Sequence, residues 1–212
     1  MVAIQEIYQE FMELYHSQYE MIAGCAALCQ KKTQPPEPAF SQSMHRAIVE
    51  TGFMRLYLAW ESFLERAFIS YLQNACDLQH RTYSRYAQPT SDQHAYDMLR
   101  GSKTYPDWTN IDEVNRLARV FFKDAGPFAM LAAPPAEFLE MKTIRNRIAH
   151  VSEKSQRQFD TLLSKKIAQI GIALGDYLMM FKAGKETYFT YYAEMIRGYV
   201  EAICNQGERQ TA

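Results

Sequence analysis

Apolar residues recur every three or four positions along most of the chain, and strand-like alternation is almost absent. This spacing places apolar side chains on one face of a helix, so it predicts a chain built almost entirely from helices. With 212 residues, of which 48% are hydrophobic and 22% charged, the chain is long enough to bury a sizeable core. An all-α helical bundle is therefore the fold that we expect.

Interruptions of this periodicity, many of them at proline or glycine, divide the chain into six predicted helices. Five of them have predicted bounds, which are 4–30, 43–76, 111–122, 136–150 and 187–204. The sixth follows an apolar stripe from Phe159 to Phe181 and ends at Gly184. Three long helices and a shorter one pack most simply as an up-and-down bundle of four, to which 187–204 adds an extra C-terminal helix.

Two stretches do not fit a continuous helix. Residues 33–42 include three prolines, which predicts a stiff connection. Residues 77–110 are polar, aromatic and turn-rich, which predicts an excursion with at most short helical pieces, inside an insertion over 77–135. The sequence contains no internal repeat, and we expect a single domain over 1–212.

The overall composition excludes a globally basic protein and a disulfide scaffold. The 23 Lys and Arg residues and 24 Asp and Glu residues give a net charge of −1, so any nucleic-acid role requires a local basic patch. The four cysteines are too scattered for a disulfide framework. The N-terminus lacks the basic start of a secretory signal and no run of about 18 apolar residues occurs, so we expect a cytoplasmic protein without membrane contact.

Common cofactor and metal motifs are absent from the sequence. It contains no G-x-x-x-x-G-K-[ST], G-x-G-x-x-G, H-E-x-x-H or G-x-S-x-G pattern, which removes the commoner phosphate-binding, zinc-protease and hydrolase classes. The five histidines lie far apart, and their neighbours do not resemble a metal site. We expect neither a cofactor nor a bound metal.

Basic and polar residues concentrate near the end of the predicted helix 136–150. Residues 142–166 hold seven basic and two acidic side chains, a local net charge of +5. Helical spacing puts Asn146 and His150 on nearly the same face. Arg145 lies about 140° round the helix from His150. It converges on the imidazole only if the helix ends at His150 or if a second copy of the helix faces the first.

Two interpretations fit this cluster. Cations near a helix C-terminus are favoured by the helix dipole alone, which is a purely structural explanation. Arg, Asn and His together also supply an anion clamp, an orienting amide and a proton carrier of near-neutral pKa. The contrast between this basic segment and the acidic remainder of the chain favours the second interpretation.

The run Arg145-Asn146-Arg147-Ile148-Ala149-His150 resembles the motif of the HEPN superfamily, which is Arg, a polar residue, three variable residues and His. The stretches LAWESFLERAFISYL, DWTNIDEVNRLARVFF, GPF and MKTIRNRIAH look similar to the RiboL-PSP or MAE-type branches of that superfamily. The resemblance covers about residues 40–180. It implies a four-helix HEPN-like core that forms a homodimer, with two copies of the motif lining one cleft.

The resemblance also implies a metal-independent endoribonuclease. Many relatives are toxins of toxin–antitoxin or phage-defence systems, often paired with a minimal nucleotidyltransferase. Some members have lost activity and only bind RNA or other proteins, but here both the Arg and the His of the motif are present.

The expected chemistry follows from RNA itself, because its 2′-OH is a built-in nucleophile that needs no activated water. His150 takes the 2′-OH proton or protonates the 5′-oxygen leaving group, and Arg145 stabilises the phosphorane-like transition state. Asn146 orients a phosphate oxygen or the imidazole. The products are 2′,3′-cyclic phosphate and 5′-OH ends. Four basic residues are expected to bind the RNA, namely Lys142, Arg147, Lys154 and Arg157.

Alternatives remain for the residues outside the motif. Glu61 either pairs with Arg145 or Arg147 and holds the clamp, or is a structural acid. The excursion combines aromatic and basic side chains that either stack on single-stranded RNA or pack the loop onto the bundle. These are Tyr83, Tyr86, Tyr96, Tyr105 and Trp108, with Arg81, Arg85, Arg100 and Lys103.

The rival function is a non-catalytic helical module that binds RNA or a protein partner. Its first helix has four acidic and no Lys or Arg residues before Lys31, which suits protein recognition beside the basic motif helix.

Overall fold

The computed structural model describes residues 2–30, 41–100 and 106–205, with the backbone alone for 26–30. It confirms the all-α prediction, since helices make up most of these residues, as expected for a helical bundle. The α-helices are α1 (Ile4–Gln30), α2 (Gln42–Leu72), α3 (Asp92–Arg100), α4 (Ile111–Phe121), α5 (Glu137–Ala149), α6 (Glu153–Ile167), α7 (Leu174–Met179) and α8 (Tyr188–Asn205). A 3-10 segment covers Lys123–Ala132, and the short strands β1 (Phe181–Lys182) and β2 (Glu186–Thr187) pair antiparallel.

Most predicted helix bounds are confirmed to within one residue. This holds for α1, α4, α5 and α8, whose predicted ranges were 4–30, 111–122, 136–150 and 187–204. The predicted helix 43–76 ends earlier, at Leu72, because Asn74 adopts a left-handed backbone with φ of 77°. In its described residues, the excursion 77–110 contains one short helix, α3. The predicted connection 33–42 lies outside the described residues except for Ser41 and Gln42, and Gln42 already starts α2.

The long helix predicted along the stripe from Phe159 to Phe181 is wrong. α6 ends at Ile167 because Ala168 adopts a left-handed backbone with φ of 56°, and a loop over 168–173 leads to the short helix α7. The Asp160 carboxylate holds this loop by accepting a hydrogen bond from the Gly171 N–H at 3.2 Å. Ile170, expected on the buried stripe, is 71% exposed. Two of the three predicted long helices, α1 and α2, are therefore present, and the third is not.

Contacts divide the chain into two compact units. The first comprises Met1–Glu13, Ala59–Pro135 and Ile196–Ala212, and the second comprises Leu14–Leu58 and Ala136–Met195. The predicted insertion over 77–135 belongs wholly to the first unit, and the predicted motif belongs to the second. The single-domain organisation stays a prediction.

Phe68 on α2 is the centre of the aromatic core of the first unit. Its ring stacks on Phe128 with a centroid distance of 4.9 Å and contacts Phe122 at 5.3 Å and Trp108 at 5.7 Å. These rings bring large apolar surfaces onto α2. For Trp108, which is 4% exposed, the packing interpretation is therefore supported over RNA stacking.

Some of the other polar and aromatic side chains of the excursion contact the rest of the protein, and others are exposed to solvent. Arg85 Nη1 donates to the Leu72 carbonyl at the end of α2 at 2.7 Å, and the Tyr96 hydroxyl hydrogen-bonds Glu65. Tyr86 is 68% exposed and remains available to a ligand, as is the exposed Arg100. The predictions for Lys103 and Tyr105 lie outside the described residues.

Asp77, at the start of the excursion, is a buried carboxylate held by four donors. Its oxygens accept hydrogen bonds from the Gln79 and Arg81 backbone N–H groups at 2.9 Å each, from Arg81 Nε at 2.8 Å and from the Tyr83 hydroxyl at 2.9 Å. Burial raises the pKa of Asp77, but these hydrogen bonds outweigh burial and lower the pKa below its ordinary value.

The residues around Asp77 cap the C-terminal end of α8. The last carbonyls of a helix lack partners inside the helix and carry its negative dipole end. Three of them are satisfied here, since Tyr71 Oη donates to the Ile203 carbonyl at 2.9 Å, the Leu78 N–H donates to Cys204 at 2.9 Å and Arg81 Nη2 donates to Asn205 at 2.8 Å. Asp77 orients the arginine that makes the last of these bonds.

Replacing Asp77 by asparagine is expected to lower the free energy of unfolding at pH 7 by about 2 kcal/mol, because charge-assisted hydrogen bonds to a buried carboxylate are lost. The folded pKa lies below the unfolded value of about 3.9. Asp77 therefore adds stability above that pH, which is lost as the pH falls through the folded pKa. Urea unfolding between pH 2 and 7 measures both effects. In the variant, the free energy of unfolding is expected to fall less as the pH is lowered.

Asp97→Asn is the matched control, since Asp97 is exposed on α3 and accepts one hydrogen bond, from Gln93. It should follow the wild-type pH profile. An Asp77→Asn protein with the same acid limb as the wild type would contradict the assigned role of Asp77.

Candidate active site

The motif predicted from the sequence lies on the last turns of α5. Phe138, Met141 and Ile144 form the buried face of this helix, at the spacing of three residues that a helix places on one side. Arg145, Asn146 and Arg147 lie beside this face and are half-buried. The apolar face thus fixes which way the motif points.

A polar network around Glu140 ties α5 to the other helices of the second unit. Lys166 Nζ on α6 lies 2.6 Å from Glu140 Oε1, and the Tyr192 hydroxyl on α8 donates to Oε2 at 2.9 Å. The hydroxyls of Tyr177 on α7 and Tyr192 are 3.0 Å apart. Burial raises the pKa of both tyrosines, so their hydroxyls stay protonated donors. The sequence reasoning missed Glu140, whose position on a charged helix gives no local signal.

The corner between α5 and α6 holds the backbone of His150. His150 follows α5 as its C-terminal cap with an extended backbone, and its N–H donates to the Asn146 carbonyl at 3.0 Å. Its carbonyl accepts the Ser155 hydroxyl at 2.5 Å and the Ser152 N–H at 3.1 Å. Ser152 and Ser155 also form a reciprocal capping box at the start of α6. The backbone is therefore fixed while the imidazole is exposed.

The helix end at His150 meets one of the two conditions under which Arg145 reaches the imidazole. Arg145 Nη1 lies 3.4 Å from Asn146 Oδ1, so the structure brings these two motif side chains together. In the described part of the chain, the His150 ring makes no hydrogen bond or ion pair, so the ring is not joined to Arg145 or Asn146. Both ring nitrogens are accordingly available to a ligand.

The four predicted RNA-binding residues have different surroundings. Lys154 is exposed on α6, and Lys142 is half-buried on α5. Arg157 is exposed and pairs with Glu153 at 2.7 Å. Arg147 is half-buried and, among residues 2–30, 41–100 and 106–205, has no hydrogen-bond or ion-pair partner. Arg147 lines two cavities, described below, and Arg157 lines one of them but is paired with Glu153.

Glu61, the predicted supporting acid, lies on the part of α2 that belongs to the first unit. Arg145 and Arg147 belong to the second unit. The pairing of Glu61 with either arginine stays a prediction.

A cavity of about 400 Å³ opens beside the motif in the second unit. Arg147 and Ile148 of α5, Glu50 of α2 and the loop before α7 contribute to its wall. Val151, which follows His150, also lines it and is 93% exposed. A second cavity of about 540 Å³ shares Arg147 and reaches Arg157. The sequence reasoning did not predict either cavity.

Within the described ranges, no group of three or more His, Cys, Asp and Glu side chains is arranged to hold a metal ion. In those ranges, no helix has the length and apolar character needed to cross a membrane. Neither a family model, nor a curated protein, nor a solved structure matches the chain.

Replacing Ser155 by alanine is expected to lower the free energy of unfolding by about 1 kcal/mol, because the capping box is lost. The same change removes the hydrogen bond to the His150 carbonyl, so the amide and ring NMR signals of His150 should shift. Thermal unfolding and a histidine-selective NMR spectrum measure the two effects.

Ser164→Ala is the control on the same helix, because Ser164 is exposed and outside the capping box. If the two alanine variants unfold at the same temperature, the capping box does not stabilise the corner.

Proposed function

We propose that this chain is a HEPN-like endoribonuclease that cleaves RNA without a metal ion. The observation that supports it best is the corner after α5, where an exposed histidine with a fixed backbone follows a half-buried arginine and asparagine that contact one another. An imidazole at this position can exchange protons with solvent and substrate near neutral pH. The Arg145 guanidinium supplies a permanent positive charge on the last turns of the same helix.

In the proposed reaction, the 2′-OH of one nucleotide attacks the adjacent phosphorus and the bond to the 5′-oxygen of the next nucleotide breaks. The imidazole of His150 accepts the 2′-OH proton, or, when protonated, donates a proton to the departing 5′-oxygen. Arg145 stabilises the charge on the phosphorane-like transition state, and Asn146 orients a phosphate oxygen. The products carry 2′,3′-cyclic phosphate and 5′-OH ends.

A homodimer would give one cleft two copies of His150, one for each proton transfer. This arrangement also meets the second condition for convergence of Arg145 and His150. A cytoplasmic toxin or defence ribonuclease with a nucleotidyltransferase-like antitoxin is the biological setting that the HEPN resemblance favours.

The first test is incubation of the purified protein with total RNA in excess EDTA, followed by analysis of the fragment ends. We expect wild-type protein to leave 2′,3′-cyclic phosphate ends. His150→Ala should lower the cleavage rate by about 10²–10⁴-fold. Arg145→Ala should lower it by about 10²–10³-fold. DNA lacks the 2′-OH and should remain intact.

His16→Ala and Arg55→Ala are matched controls, since both residues are exposed and lie on other helices of the second unit. Circular dichroism of each variant separates loss of chemistry from loss of folding. Cleavage of DNA by the pure protein would exclude the mechanism. RNA binding without cleavage by folded wild-type protein would instead favour the non-catalytic module.

The basic residues around the corner are expected to contribute unequally to RNA binding. Lys154→Ala should reduce the slope of log K against log salt for RNA by about one unit, because one phosphate contact is lost. Arg157→Ala should reduce it less, since Glu153 already neutralises this arginine. Fluorescence anisotropy with the His150→Ala background measures both slopes without cleavage. Lys185→Ala is the control on the exposed hairpin turn, and an equal effect there would contradict a localised patch.

A further inference from the structure

The cavity of about 400 Å³ beside the motif has the size of a small-molecule site, which typically measures about 300–1,000 Å³. Its wall includes Arg147, Ile148 and Val151, which flank His150 on both sides in the chain. Val151 and His150 are consecutive, so their Cα atoms lie about 3.8 Å apart. The cavity therefore lies beside the corner of the chain that carries His150, the proposed general base.

Arg147 brings unused hydrogen-bond donors to the cavity. Its guanidinium has five N–H donors in a planar fork and, in the described residues, none of them is engaged. An arginine fork pairs in bidentate fashion with two adjacent acceptors, as on the O6 and N7 edge of guanine.

Glu50 brings acceptors to the same cavity. Its Oε1 accepts the Gly175 N–H at 2.9 Å, which fixes the carboxylate at the start of α7. A carboxylate has about four lone-pair sites, so this one bond leaves acceptor capacity for a ligand. Gln156 adds a further acceptor, because its Nε2 donates to Asp160 at 3.1 Å and its Oε1 is left for other partners.

Apolar side chains complete the wall. Ile148 and Ile172 are half-buried, and Val151 stands almost fully exposed at 93%. Apolar surfaces of this kind pack against the faces of a flat aromatic ring, while polar groups at the rim select its edge.

Guanine fits this donor and acceptor set best among the four RNA bases. It carries two adjacent acceptors, O6 and N7, and two adjacent donors, N1–H and N2–H, on neighbouring edges. A carboxylate accepts the two donors together, and an arginine fork donates to the two acceptors. Adenine, cytosine and uracil each lack the adjacent donor pair that a single carboxylate would bind.

We infer that this cavity is a guanine subsite, in which Glu50 and Arg147 hold the base whose own 2′-OH faces His150. The inference rests on the proposed ribonuclease function and adds its sequence preference. Cleavage is then expected on the 3′ side of guanosine, and the released ends carry guanosine 2′,3′-cyclic phosphate.

The first arm of the test needs no cleavage. Isothermal titration calorimetry with the full-length His150→Ala protein compares guanosine 3′-monophosphate with the adenosine, cytidine and uridine 3′-monophosphates. We expect guanosine 3′-monophosphate to bind at least about ten-fold more tightly than the others. Equal affinities for the four nucleotides, or binding of none, would overturn the inference.

Variants of two cavity residues test whether the guanine preference arises in this cavity. Glu50→Gln replaces one acceptor by a donor and should remove the guanine preference, and Arg147→Lys keeps the charge but loses the fork. Glu20→Gln makes the same charge change at an exposed residue on α1 of the second unit, outside the cavity wall, and should retain the preference. Melting curves show whether Glu50→Gln still folds, and Arg147→Lys carries the test if it does not. The inference is overturned if Arg147→Lys still binds guanosine 3′-monophosphate more tightly than the other nucleotides, and if Glu50→Gln, where it folds, does the same.

The second arm maps the 3′ ends of RNA fragments made by wild-type protein. Enrichment of guanosine at those ends supports the inference. Cleavage without guanosine enrichment overturns it while leaving the ribonuclease proposal intact. A guanine preference in binding without any cleavage supports the subsite and removes the ribonuclease proposal.

Discussion

The position of the motif depends on one carboxylate, Glu140. Glu140 contacts Lys166 of α6 and Tyr192 of α8. The Tyr192 hydroxyl also forms a hydrogen bond with the Tyr177 hydroxyl of α7. A charge placed among packed helices is tolerated only when it is paired and hydrogen-bonded, and removal of one partner costs more than the pair contributes. Every helix that meets α5 through this network is therefore fixed relative to it. These contacts act together with the buried apolar face of α5, which fixes where Arg145 and Arg147 point.

The sequence allowed the prediction of helices whose stripes and ends are local. α4, α5 and α8 have regular apolar spacing and stop near the predicted residues. The break after α6 could not be predicted, because the stripe continues through Ile170 and no proline interrupts it. The loop is held by Asp160, eleven residues away from its partner Gly171, and such a bond has no periodic signal. The left-handed backbone at Ala168 thus ends α6 within a stretch whose apolar pattern is still helical.

The candidate site also has a part that could be predicted from the sequence and a part that could not. The motif is a run of six residues, so helical spacing alone predicted that Asn146 and His150 share a face, and the break at Val151-Ser152 predicted the helix end. The cavity is built from α2, α5, α6 and the loop before α7. Glu50 carries no signal of its own, since it is one acid among many on a long helix. Glu50 belongs to the cavity wall only because α7 approaches α2 closely, and no local sequence pattern encodes that approach.

Gly175 shows how closely those two elements meet, because a Cβ at this position would lie 2.7 Å from both Cα and Cβ of Arg46. Any larger residue would force α7 away from α2 and disturb the hydrogen bond from the Gly175 N–H to Glu50. At Gly171, in the loop over 168–173, a Cβ would meet nothing within 4 Å, but the positive φ of 73° disfavours any larger residue. Close packing thus restricts Gly175 at one end of the cavity wall, and backbone conformation restricts Gly171 in the segment before it. The wall of this cavity is therefore restricted at both glycines, for two different physical reasons.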